Sequence, residues 1–163
     1  MCRQGDVYGA RSLVLDTQGQ RPFLVYAPVQ TDKTKESMAE IYKEVSQIRG
    51  ERPPTRDEVA RAKDKNTLTL AGRWETANAV AGSLAEMVRF GLPDNYWNEY
   101  PDMVRSLSDE QISNAAKDVI KPDNMVWVVV GDRAKIEDGI KELGYDNIVL
   151  MDADGRVLEG AGT

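Results

Sequence analysis

Thr55–Phe90 constrains the fold more than any other stretch. Its 36 residues contain no proline, follow Pro53-Pro54 and stop short of Pro93. Thr55 and Glu58 have the spacing of a capping box, so a helix starts there. A single helix of that length would run about 54 Å, too long for a domain of 163 residues. Gly72 offers a break and Thr76 a second cap, which predicts two consecutive helices, 56–71 and 77–90. The first carries Val59, Ala62 and Leu70 among many charges, so it is only partly buried. The second has a broad apolar face of Ala77, Val80, Ala81, Leu84, Met87 and Val88, whose small residues would allow close packing against a neighbour. Gly91 is placed as its C-cap and Pro93 as its stop.

The flanking chain is read by period. Val7–Leu15 and Pro22–Val29 alternate as strands, with the turn Asp16–Gln20 between them. Pro28 suits an edge or a bulge. A helix over 33–49 follows, with Met38, Ile41, Val45 and Ile48 on one face and Gly50 at its end. Beyond Pro93 come an aromatic-rich helical segment, 94–107, and a helix from the Ser108/Gln111 capping box to about Ile120. Met125–Val130 is nearly all apolar, as in a strand covered on both faces. A helix over 133–143 and a strand Ile148–Met151 complete the order β-β-α-α-α-α-α-β-α-β. That is one α+β domain over 7–151, with a mixed, antiparallel-type sheet and helices packed on one face. Residues 152–163 are polar and Gly-rich and read as a frayed tail.

Composition narrows the function. The net charge is -6, from 21 basic and 27 acidic residues, and no basic patch is interleaved with aromatics, which argues against nucleic acid as a partner. No apolar run reaches the length of a membrane span, and the Met-Cys-Arg-Gln-Gly start has no signal-peptide core. The chain has no histidine and one cysteine. His-based metal sites, Ser-His-Asp triads and thiolate zinc sites are therefore outside its reach.

The candidate sites each have a bland reading beside them. Gly131-Asp132-Arg133 lies between a strand and a helix but lacks a phosphate-binding glycine pattern, and Asp132 reads as a helix cap. Asp152-Ala-Asp154-Gly155 lacks the rest of a calcium loop and reads as an exposed turn. Tyr96, Trp97, Tyr100 and Trp127 form either an aromatic groove or packing, with Trp127 expected in the core. Arg73-Trp74-Glu75-Thr76 sits at the helix break, where Trp74 is a hinge-packing residue or an exposed recognition residue. Glu51, Glu58 and Asp64 are carboxylates without metal partners. Arg3 and Tyr8, near the first strand, form a guanidinium-phenol pair that suits clamping a peptide carbonyl without proton chemistry.

The motifs also occur in an order that resembles the insulinase/pitrilysin (peptidase M16) superfamily of zinc peptidases. They are Tyr8-Gly9-Ala10-Arg11-Ser12, Thr31-Asp32-Lys33-Thr34, Pro54-Thr55-Arg56-Asp57-Glu58 with Ala62-Lys63, and Glu75-Thr76. They continue with Phe90-Gly91-Leu92-Pro93, Tyr96, Tyr100, Leu107-Ser108, Lys121-Pro122-Asp123-Asn124-Met125 and Val128-Val129-Val130-Gly131-Asp132. The resemblance implies the later portion of a C-terminal, non-catalytic half of a bacterial zinc protease, without its leading strands and first helix. It further implies that zinc belongs to a partner half, fused or separate, and that this chain holds no cofactor. Tyr8, and less closely Arg3, match the pair that such halves turn toward the substrate backbone. The family's usual gap between the two residues is longer than the one here. The alternative implied by the same family is a structural domain of the processing-peptidase or bc1-core type. The compartment stays open between periplasm and cytoplasm, and exposed sheet edges would allow self-association.

Overall fold

The computed structural model describes residues 9–159. Strands β1 (Arg11–Val14) and β2 (Phe23–Tyr26) lead through a short 3-10 turn into α1 (Thr34–Gln47). Then come α2 (Arg56–Leu68), α3 (Ala77–Phe90), α4 (Tyr96–Ser106), α5 (Asp109–Val119) and α6 (Arg133–Lys141), followed by β3 (Leu150–Met151) and β4 (Val157–Glu159). The class is α+β. Among the described residues the strands form two separate two-stranded sheets, β1-β2 and β3-β4, and not one mixed sheet.

The chain divides into two compact units. One holds described residues 9–12, 25–44 and 124–159; the other holds 13–24 and 45–123. In the first, Met38 of α1 and Ile136 of α6 are buried. Gly139 lets α6 approach the start of α1, since a Cβ there would lie 3.3 Å from the Cβ of Lys35. The Lys35 ammonium then reaches the Glu142 carboxylate.

In the second unit, local chemistry sets the helix ends. The Thr55 N–H donates to Glu58 Oε2 (2.8 Å) and the Glu58 N–H to Thr55 Oγ1 (3.3 Å), closing the capping box of α2. Hydrogen bonding to Thr55 holds the Glu58 carboxyl below its ordinary pKa. Ser108 and Gln111 repeat the arrangement at α5 (2.7 and 3.1 Å). The expected break between α2 and α3 is present: a 3-10 turn covers Thr69–Gly72 and Thr76 Oγ1 accepts from the Ala79 N–H at 3.2 Å. Gly91 ends α3 with φ +60°, in the left-handed region that favours glycine. Lys63 on α2 donates to the carbonyls of Arg105 (3.2 Å) and Leu107, satisfying acceptors at the C-terminal end of α4.

Three expectations need narrowing or correcting. The apolar face of α3 is covered only along one side: Met87 is half-buried and the buried Ser83 lies one turn from it, while Val80, Leu84 and Val88 are exposed. Inward position there is decided by hydrogen bonds from Trp74 and Arg73, which an apolar count does not register. Met125–Val130 is not covered on both faces: Trp127 lies edge-on to Tyr145 at 6.0 Å, but Val126, Val128 and Val130 point into solvent. The frayed tail does not start at Asp152. An antiparallel hairpin pairs Leu150 with Glu159 and Met151 with Val157. Its turn is built by Asp152 Oδ1, which accepts from the N–H groups of Asp154 (2.9 Å) and Arg156 (2.8 Å), with Gly155 at φ +79°.

Candidate functional site

Arg3 and Tyr8, the substrate-binding pair expected from the sequence, lie outside the described residues. The described chain picks up at Gly9, with φ +107°, two residues before β1.

What the second unit does assemble is an aromatic cluster between the α2-α3 break and α4. Trp97 is its centre. Trp74 meets it edge-on at 5.8 Å, Tyr96 edge-on at 5.0 Å and Tyr100 tilted at 5.4 Å, and the Arg73 guanidinium stacks over its ring at 3.9 Å. Such edge and cation-π contacts follow the ring quadrupole. Arg73 also pairs with Glu86 at 2.5 Å. Ser83 Oγ ties the cluster to α3 by accepting from Trp74 Nε1 (2.9 Å) and Arg73 Nε (3.4 Å). Desolvation raises the Tyr96 phenol above its ordinary pKa.

Trp127 is not part of this cluster; its ring partner is Tyr145, in the other unit. Trp74 takes the hinge-packing role, since its N–H is spent on Ser83 and its ring on Trp97. Ser83 and Glu86 escaped the sequence reading, although a serine among the apolar residues of α3 is the signal that a polar partner faces it. The cluster joins helices and holds no nucleophile beside a base. α4 also carries an open surface depression lined by Asn95, Asn98, Glu99, Asp102, Met103 and Ser106.

Most of the other carboxylates singled out in the sequence are committed locally. Glu58 caps α2, and Glu51 accepts from the Gln47 amide at 3.3 Å. Asp132 precedes α6 as its N-cap residue, but its side chain pairs with Lys135 at 3.2 Å instead of capping. Among the described residues no three His, Cys, Asp or Glu side chains gather where they could hold a metal ion. With no histidine in the sequence, these residues do not fit the zinc site that the resemblance would place in a catalytic half. No described helix is long and apolar enough to cross a membrane.

No protein-family model matches the sequence, and no curated protein is detectably similar to it. Solved structures are similar. One is the crystal structure of the peptidase M16 inactive domain from Pseudomonas fluorescens, with a TM-score of 0.63 and 23% identity over 74% of this chain. The fold is that of an M16 inactive domain. The likeness spans 28% of that protein's length, so the α+β arrangement is shared with a part of it.

Proposed function

We propose that this chain serves as a non-catalytic half of a zinc-dependent metallopeptidase. A partner half supplies the zinc, whose role is to polarise the scissile carbonyl and activate water. This half closes the chamber and positions an extended peptide, with the Tyr8 hydroxyl and the Arg3 guanidinium hydrogen-bonding the substrate backbone. The observation that carries the reading is the fold shared with an M16 inactive domain.

Two features support it. The chain has no histidine with which to build a zinc site of its own. Among the described residues, nineteen large hydrophobic side chains are exposed and only six are buried. A surface so rich in bare apolar groups is suited to being covered by another protein surface. The test is Tyr8→Phe in the assembled enzyme. Loss of one hydrogen bond made to substrate should lower peptide turnover by about tenfold; unchanged turnover removes the site.

The second reading, a structural domain without peptide binding, draws on the short spacing of Arg3-Gln4-Gly5-Asp6-Val7-Tyr8. It predicts that Tyr8→Phe and Arg3→Gln both leave turnover unchanged while assembly persists.

A further inference from the structure

An aspartate followed by glycine carries a reaction within its own backbone. Attack of the glycine nitrogen on the aspartate side-chain Cγ closes a five-membered ring, and glycine has no Cβ to crowd the approach. The chain has two such pairs, Asp138-Gly139 and Asp154-Gly155. They stand in different settings. Asp138 and Gly139 lie inside α6, where the helical ladder fixes the backbone torsions, and a Cβ on Gly139 would lie only 3.3 Å from Lys35. Asp154 and Gly155 lie in the turn between β3 and β4, outside any helix. The Asp154 side chain is 72% exposed, so its carboxyl is open to water.

Three hydrogen bonds hold this turn, and all of them end on Asp152. The Gly155 N–H, which carries the nitrogen that would attack, donates to the Asp152 carbonyl at 3.0 Å. Asp152 Oδ1 accepts from the N–H groups of Asp154 at 2.9 Å and Arg156 at 2.8 Å. The side chain of Asp152 therefore fixes the backbone on both sides of the Asp154-Gly155 bond. Ring closure needs that backbone to rotate and the Gly155 N–H to leave its acceptor, so it proceeds from the locally opened turn. Arg156 also pairs with Asp154 Oδ2 at 3.4 Å, but both side chains stand in solvent, where such a pair contributes little.

We propose that Asp154-Gly155 is a site of spontaneous aspartate isomerisation, and that Asp152 is the positioning residue that holds it closed. In the opened turn the Gly155 nitrogen gives up its proton and bonds to Asp154 Cγ. A carboxyl C–O bond breaks, and one water leaves a succinimide behind. Addition of one water then breaks one of the two ring C–N bonds. Breaking the bond to Cγ restores aspartate. Breaking the bond to the main-chain carbonyl gives isoaspartate, whose backbone runs through Cγ and is one methylene longer. No oxidant, reductant or other reactant is needed. The longer backbone no longer fits the bonds to Asp152 that close the hairpin pairing Met151 with Val157. The proposal does not rest on the peptidase reading.

The test is incubation of the whole chain at neutral pH, followed by peptide mapping with fragmentation that distinguishes the two linkages. A synthetic peptide covering 148–159 supplies the rate without the fold. Isoaspartate should accumulate at Asp154 and not at Asp138, more slowly in the chain than in the peptide. Asp152→Ala removes two hydrogen bonds from the turn and should speed isomerisation about tenfold, toward the peptide rate. Asp152→Asn keeps an oxygen acceptor and should stay near the parent rate. Far-UV circular dichroism checks that each variant is folded, and the comparison of parent with peptide stands whether or not Asp152→Ala folds. Isomerisation of the parent at the peptide rate overturns the proposal, because the turn would then hold nothing closed. Equal rates in folded Asp152→Ala and the parent overturn the role of Asp152, and isoaspartate that appears first at Asp138 overturns the choice of site.

Discussion

Ser83→Ala isolates the contact that joins the helix break to α3. Ser83 is 5% exposed, and its Oγ accepts from Trp74 Nε1 at 2.9 Å and Arg73 Nε at 3.4 Å. Arg73 keeps Glu86 and the Trp97 ring after the substitution, so Trp74 bears most of the loss. Leaving a part-buried N–H without its acceptor costs about 1–3 kcal/mol. Alanine's better helix propensity returns about 0.5 kcal/mol. The net expectation is a destabilisation of about 1–2 kcal/mol, read as a lower urea midpoint by far-UV circular dichroism. In a Trp74→Phe background there is no indole donor to orphan, so the same substitution should be close to neutral. The coupling from the double-mutant cycle should then be about 1 kcal/mol. An equal cost in both backgrounds would refute the assignment of Ser83 as the acceptor that fixes Trp74.

Thr55→Ala removes one arm of the α2 capping box and should destabilise the chain by about 1 kcal/mol, whereas Thr55→Ser should be nearly silent; equal urea midpoints for Thr55→Ala and the parent would contradict the cap. Glu137 on α6 bonds to Arg133 and Lys141, and these hydrogen bonds lower its pKa from 4.5 to about 2. A lowered folded-state pKa adds stability that is full above the ordinary value and is lost as pH falls toward 2. The melting temperature of the parent should therefore exceed that of Glu137→Gln at neutral pH, and the gap should close between pH 4.5 and 2; a gap that widens on acidification would contradict the ion pairs.

Local chemistry was legible in the sequence where a few neighbouring residues decide the outcome. The Thr55/Glu58 and Ser108/Gln111 boxes, the break at Gly72–Thr76 and the Gly91 cap were all readable because each depends on contacts within about one helical turn. Faces were harder. The apolar period of α3 groups Val80, Leu84, Met87 and Val88 on one broad face, but Val80, Leu84 and Val88 are exposed, because Ser83 and Glu86 turn the adjoining face toward the Arg73–Trp97 cluster. That outcome depends on partners ten and thirteen residues away in sequence. Met125–Val130 has the composition of a doubly covered strand because composition records what a segment is suited to, not which neighbours are present. The β3-β4 hairpin was there to be read, since Asp152-Ala-Asp-Gly155 separates two short apolar runs. Its Gly-rich surroundings masked the turn signal. At the candidate site, single residues showed Trp74 and Trp97 to be packing residues or contacts, and only the geometry joined them. Arg3 and Tyr8 stand on resemblance and spacing.

If this chain is the non-catalytic half proposed above, it contributes to peptide hydrolysis only beside a zinc-bearing half. The direct measurement is turnover of an extended peptide by three preparations: the pure chain with added zinc, the zinc-bearing half alone, and the two together. The expected result is no cleavage by the chain alone, and chelator-sensitive cleavage by the pair that clearly exceeds that of the zinc-bearing half. Reproducible, chelator-sensitive cleavage by the pure chain would contradict it, as would a zinc-bearing half whose turnover does not change when this chain is added.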